Sequence, residues 1–390
     1  MIFDQISNKD HNSDLPVLAI TQEQGAIPRE MIDYHVSVTD KSLESYKVVE
    51  VGDFIISLRS FQGGIEFSRY RGICSPAYVI LRLRHGHSED YFRHYLKTDR
   101  FIAQMIKNLE GLRDGKMISY KQFSELELPI PPRDEQQKIA DCLSSLDDLI
   151  AAETYKLDTL KTHKKGLMQQ LFPREGETVP GLRFPEFREA GEWKETLFGK
   201  LVVKSFYGTS SSTSNTGKYP VLRMGNMVDG ALSFSNLAYI DLDEKSFAKI
   251  RLAPGDILLN RTNSPGLVGK VSIFDQDIEC ITASYIVTYR LDRAQVVPEF
   301  CNLILNTPRC QRKIRALARP SISQANINPT AFKNELTVAL PNIEEQRRIV
   351  SCFSDIDERI SSQIKKIELL KVQKAGLMQQ LFPVPDGAVA

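Results

Sequence analysis

Apolar residues recur in alternating steps of four and three through two long stretches of the chain. In the first they are Ile139, Leu143, Leu146, Ile150, Leu157, Leu160, Leu167 and Leu171, with Glu153 and Lys164 completing the series. In the second they are Ile349, Phe353, Ile356, Ile360, Ile367, Leu370, Leu377 and Leu381, with Gln363 and Lys374 at the same two places. A repeat of 3.5 residues predicts a long helix with a coiled-coil seam. Prolines precede each stretch (Pro131 and Pro132; Pro341), carboxylates fill the first turn (Asp134 and Glu135; Glu344 and Glu345), and Pro173 and Pro383 stop it. At 1.5 Å per residue, Asp134 to Leu171 makes a rod of about 57 Å.

The two stretches are copies. Residues 131–173 and 341–383 align without a gap at an offset of 210, agree at 20 of 43 positions, and both end in GLMQQLFP. So long a period means a duplicated module, not a solenoid. The polar seam positions choose how the helices pack. A parallel pair would set Lys164 against Lys374. An antiparallel pair separates those lysines and brings Glu153 to Gln363, where a hydrogen bond can fix the register. An antiparallel pair also implies an approximate two-fold axis.

The segments before the helices match more weakly. Leu15-Pro-Val-Leu parallels Tyr219-Pro-Val-Leu, Val51-Gly-Asp-Phe-Ile-Ile parallels Pro254-Gly-Asp-Ile-Leu-Leu, and Ser75-Pro-Ala-Tyr-Val parallels Thr282-Ala-Ser-Tyr-Ile. Short β-branched or aromatic runs bounded by Gly and Pro predict strands and turns. The spacing over Tyr91–Leu109 and Pro298–Leu317 predicts helix. The expected fold is therefore mixed α and β, with two α+β domains separated by two long antiparallel coiled-coil helices and related by pseudo-two-fold symmetry. The expected boundaries are a first domain at 1–132, a first spacer helix at 133–173 and a linker or lead-in at 174–195. A second domain follows at 196–341, then a second spacer helix at 342–383 and a tail at 384–390. The segment 174–204, with Trp193, has no counterpart at the front of the chain. Either the first domain is shorter or part of its N-terminus is lacking.

Composition narrows the function. The chain has 390 residues, 42% hydrophobic and 25% charged, which is ordinary for a globular protein of two or three domains. Neither a secretory signal nor a run of about 18 apolar residues is apparent. The six cysteines are scattered without a C-x-x-C pair, the usage of a reducing cytoplasm. Cys142 and Cys352, which are repeat equivalents, are expected to be buried. A net charge of +1 is low for a protein that binds nucleic acid alone, so any such binding must come from local patches or a basic partner.

Catalytic motifs are sparse. No two glycines are spaced G-x-G, and Gly269-Lys270 lacks the upstream glycine of a Walker motif. Asn328-Pro-Thr-Ala lacks the second proline and aromatic of an amino-methyltransferase motif. His85-Gly-His87 has no further ligand at suggestive spacing and is expected in an exposed loop. Asp243-Glu244-Lys245 is a local triplet of a kind common by chance. What remains is basic and polar loops, including Arg309, Arg312, Lys313, Arg315 and Arg319 with no intervening acid. Arginine and lysine suit phosphate contacts, and Arg, Asn and Gln suit bidentate base-edge contacts, although a solvated basic helix face reads the same way. Candidate DNA contacts in the first domain are Arg59, Gln62, Arg69, Arg71, Arg113 and Lys116. In the second they are Arg223, Arg261, Asn263, Lys270, Arg315, Arg319, Ser323 and Gln324.

The proline-led helix starts with Glu135-Gln136 and Glu345-Gln346, the heptad rods, the GLMQQLFP ends and the Arg183-Phe-Pro-Glu-Phe…Glu192-Trp lead-in resemble one family. It is the specificity subunit of type I restriction–modification enzymes. The resemblance implies two target-recognition domains, each reading half of a bipartite, asymmetric site in double-stranded DNA. It implies spacer helices that dock two methyltransferase subunits, and no catalysis in this chain. S-adenosylmethionine, ATP and Mg are expected on partners, the last two with motor or restriction subunits. The family usually has a lead-in before the first domain too, and this chain departs from it there. A coiled-coil protein-interaction scaffold without DNA specificity is the alternative.

Overall fold

The computed structural model describes residues 2–12, 14–32, 43–58, 60–107, 118–264, 267–320 and 324–382. The chain divides into two compact units, Met1–Lys156 with Gln363–Ala390, and Leu157–Ser362. Each contains a mixed α and β domain and part of each long helix.

The first unit is built on an antiparallel sheet in the order Phe3–Ile6, Val79–Leu83, Phe54–Ile56, Glu66–Phe67. The second repeats that order with Val202–Tyr207, Ile286–Leu291, Asp256–Asn260 and Val271–Phe274. Of the central strands, Phe54–Ile56 and Asp256–Asn260 are buried along their whole length, which explains their continuous apolar runs. The Gly-Asp motif does the same work in both sheets. Gly52 and Gly255 take φ values of 96° and 93°, a turn that favours glycine. The next residue enters the strand as a buried carboxylate. Asp53 accepts from Arg82 Nε and Nη2 at 2.7 and 2.8 Å, and Asp256 from Arg290 Nε and Nη2 at 2.8 and 2.7 Å. Each also accepts a backbone N–H, from Glu50 and Ala253 respectively, so the buried charge is fully engaged.

The helices expected over Tyr91–Leu109 and Pro298–Leu317 each break in two, into Glu89–Tyr95 and Asp99–Lys107, and into Pro298–Leu305 and Pro308–Ala316. A threonine ends one helix and starts the next. Thr98 Oγ1 accepts the Phe101 N–H and Thr307 Oγ1 the Cys310 N–H, with Pro308 preset for a first helical turn.

The long helices are Arg133–Gln170 and Ile343–Leu381, and every seam position in both is buried or half-buried. In the first unit Asp147 pairs with Lys374 and Glu153 with Gln363. In the second Lys164 pairs with Asp357 and Phe172 packs on Phe353. Partner numbers fall as residue numbers rise, so the helices are antiparallel in each unit. The glutamines of the Glu-Gln starts tie each helix to its domain. Gln136 Oε1 accepts the Ser88 N–H and Gln346 Oε1 the Val297 N–H, both at 2.9 Å, while their amide nitrogens donate to the Pro131 and Pro341 carbonyls.

The cysteine expectation is corrected. Cys142 is exposed and Cys352 half-buried, because both lie one position before the seam. The other four thiols are buried and unpaired by disulfide.

Candidate nucleic-acid interface

In the second unit a three-stranded antiparallel sheet, Thr262–Asn263, Ala325–Ile327 and Ala318–Pro320, assembles several of the candidate residues. Its register sets Thr262 and Arg319 on either side of Asn326, and Thr262 Oγ1 donates to Asn326 Oδ1 at 2.6 Å. Asn263 lies opposite Ala325, one residue after the exposed Gln324. Arg319 is exposed, and Arg315 is exposed in the last turn of the preceding helix. Arg261 leads into this sheet. Its N–H donates to the Tyr285 carbonyl, its carbonyl accepts the Ile327 N–H, and its guanidinium lies 5.6 Å from the Tyr207 ring centre. Arg223 caps the 3-10 turn Met224–Asn226, donates to the Asn236 carbonyl, and acts electrostatically on Tyr285. Burial nonetheless dominates there and pushes the Tyr285 phenol up. Lys270 is half-buried just after the turn 267–269, with its carbonyl accepting the Asn260 N–H.

Guanidinium, amide and hydroxyl groups on one small sheet can donate to phosphates and make paired contacts to base edges. The sequence did not mark Thr262, Asn326 or Tyr207. Tyr207 is 48% exposed at the end of a strand whose residues are all exposed or half-buried, so no alternation of burial marks it.

The basic run splits. Arg309 donates to the Arg174 and Glu177 carbonyls and to Glu195, Arg312 pairs with Glu175, and Lys313 bonds Thr337. These three hold the lead-in down; Arg315 and Arg319 have no ion pair among the described residues.

In the first unit Gln62 is exposed on the short helix Ser60–Gly63. Lys97 fastens that helix by donating to the Gly63 carbonyl and to Glu66. Arg69 and Arg71 flank the exposed Tyr70 in a turn, and Arg71 pairs with Glu50 at 3.2 Å across the surface. Arg59, Arg113, Lys116 and Ser323 lie outside the described residues. Of the residues named for register, Gln363 Nε2 donates to Glu153 Oε2 at 2.6 Å, and Lys366 bonds the other carboxylate oxygen. Those two donors hold the Glu153 carboxyl below its usual range. Lys164 and Lys374 each find an aspartate, Asp357 and Asp147, at 2.5 Å, and the two ion pairs are repeat equivalents.

The weaker motifs have structural roles. Asn328 Oδ1 accepts the Thr330 and Ala331 N–H groups as a helix cap, and Asp243 caps the helix Glu244–Ile250. Among the described residues no cluster of His, Cys, Asp and Glu could hold a metal, and no helix is long and apolar enough to cross a membrane.

The family model of the type I restriction modification DNA specificity domain matches residues 3–162 and again 201–371. The type I restriction enzyme MjaVIII specificity subunit of Methanocaldococcus jannaschii is 24% identical over 357 residues, 89% of this chain and 81% of that protein. The putative MjaX specificity subunit of the same organism is 30% identical over 200 residues, 51% of this chain. That match spans 46%, about half, of the relative's length. Among solved structures, the S subunit of a type I system from M. genitalium superposes with a TM-score of 0.55 at 14% identity, covering 98% of this chain and 94% of that one. A chain from work on complex assembly and conformational transition of the type I R-M system also gives 0.55 at 14% identity, covering 98% and 97%. At such identities the likeness is one of fold.

Proposed function

The chain belongs to the family of type I restriction–modification DNA specificity proteins, and on that premise we propose that it is the sequence-reading subunit of such a complex. Each unit reads one half of a bipartite site. The halves differ, because the candidate loops of the two units share almost no residues. The long helices set the spacing and dock two methyltransferase subunits. S-adenosylmethionine belongs to those subunits, and ATP and Mg to motor or restriction subunits. The chain itself carries out no chemical step, consistent with a sequence lacking a methyl-donor glycine loop.

The observation that carries the reading is the polar sheet of the second unit, where Arg261, Asn263, Arg319 and Gln324 meet on adjoining strands and their approaches. A pure scaffold has no use for such a group. The test is a gel shift of the chain with its methyltransferase subunits, on cognate and scrambled duplexes. Arg319→Ala is expected to cost about 1–3 kcal/mol on cognate DNA if it reads a base, and to weaken all sequences alike if it contacts phosphate. Equal binding to every duplex by the wild-type complex would refute the reading.

A further inference from the structure

The second unit shows what its helix start receives. Glu345 is 1% exposed and takes Arg183 in a bidentate pair, Nε to Oε1 at 2.8 Å and Nη2 to Oε2 at 2.7 Å. Trp193 Nε1 donates to the same carboxylate and its ring packs on Phe172 and Phe300. The strand Lys194–Leu197 then pairs antiparallel with Thr337–Leu340, and Arg309 holds the segment's approach. One extended segment thus covers the helix start, an edge strand and an arginine.

The first unit carries the receiving residues. Glu135 stands for Glu345 at the repeat offset, 127–130 stands for Thr337–Leu340, and Arg100 takes the place of Arg309 in the matching helix. The Tyr91–Phe382 ring pair, 5.3 Å between centres, matches Phe300–Phe172 at 5.6 Å. Among the described residues no segment covers them. Glu135 is exposed and makes no ion pair among the described residues, and no described strand lies along 127–130. Ile130 is 49% exposed, whereas its equivalent Leu340 is 8% exposed. Arg100 lines a cavity of about 280 Å³ beside Phe382, to whose carbonyl it donates. Over residues 125–138 the exposed acids Glu125, Glu127, Asp134 and Glu135 outnumber the exposed bases Arg133 and Lys138, so the segment is net acidic.

We propose that this face of the first unit docks an extended, arginine-bearing segment of another polypeptide, with its guanidinium on Glu135 and its backbone along 127–130. The charge of the face calls for a basic occupant, and the equivalent face of the same chain holds one. Strand addition supplies affinity through the main chain, and the buried arginine pair supplies specificity. The assignment is independent of how the chain reads DNA.

The test uses the full-length chain and a fluorescent synthetic peptide of residues 174–201 as the probe, followed by anisotropy. Saturable binding is expected, weakened at least about tenfold by Glu135→Ala in the chain or by Arg183→Ala in the peptide. Because Glu135 is exposed, the variant should fold normally. A charge exchange, Glu135→Arg with an Arg183→Glu peptide, is expected to restore binding. Absence of saturable binding to the wild-type chain would overturn the proposal. So would binding indifferent to Glu135→Ala, which would mean exchange into the second unit. Self-association of the chain alone that depends on both Glu135 and Arg183 would assign the face to a second copy and overturn the partner proposed.

Discussion

Glu135 and Glu345 occupy the same position in two copies of one helix, yet one is exposed and the other is 1% exposed beneath an arginine and a tryptophan. One residue later, Gln136 and Gln346 make the same bonds at matching distances. The aspartates of the two Gly-Asp turns likewise keep the same arginine clamp. Contacts that hold a domain to its own helix are duplicated along with the module. Contacts to a covering segment are made, among the described residues, in the second unit alone.

The largest expected effect breaks this contrast directly. Glu345→Ala strands Arg183, whose side chain is 8% exposed, and should cost the second unit about 3–5 kcal/mol in chemical denaturation. Trp193, the one tryptophan, should report it by a red-shifted emission as the lead-in loosens. Glu135→Ala should change stability by less than about 0.5 kcal/mol. A comparable loss from both would show that the two helix starts are equivalent after all.

Next in size are the clamps that the units share. Asp53→Ala and Asp256→Ala each leave a half-exposed arginine and one unmet backbone donor, and each should cost about 2 kcal/mol. A difference of several-fold between them, measured by urea unfolding, would contradict the claim that the two sheets are held alike.

A further asymmetry depends on pH. His94, buried in the first unit, has its pKa pushed down to about 3 from 6.5, first by burial and then by Arg93, Lys374 and Arg69, with Asp147 opposing. The second unit has Leu303 at that place. Between about pH 6.5 and pH 3 the unfolded chain binds a proton at this site that the folded chain refuses. Stability of the first unit should therefore fall as pH drops through that window, and His94→Asn should flatten the slope. An unaltered slope in the variant would remove His94 as its source.

The smallest change in stability is expected at the helix crossing. Glu153→Leu with Gln363→Leu replaces a hydrogen-bonded polar pair by apolar neighbours and should leave melting nearly unchanged while allowing the helices to slip. Cysteine crosslinks placed near the pair should then form at more than one spacing; a single unchanged spacing would show that register is set elsewhere.

Much of this was legible in the chain because it is periodic or local. The 3.5-residue seam marks both long helices, and its paired polar positions suffice to orient them. The strand motifs are visible as apolar runs. Contacts between distant residues are not. Arg82 lies 29 residues from Asp53 and Arg183 lies 162 from Glu345, and nothing near either residue announces its partner. The basic helix was misleading for that reason, since Arg309, Arg312 and Lys313 hold the lead-in and only Arg315 and Arg319 remain candidates for DNA. Arg261 and Arg319 are 58 positions apart in sequence and are joined only by strand pairing through Asn326 and Ile327.

Sequencing of methylated bases in cells that carry this chain with methyltransferase subunits of a type I system tests the central claim most directly. Two unlike half-sites separated by a fixed, unread spacer are expected, and Arg319→Ala should relax or abolish only one half. A palindromic target, or the same methylation pattern with and without this chain, would contradict it.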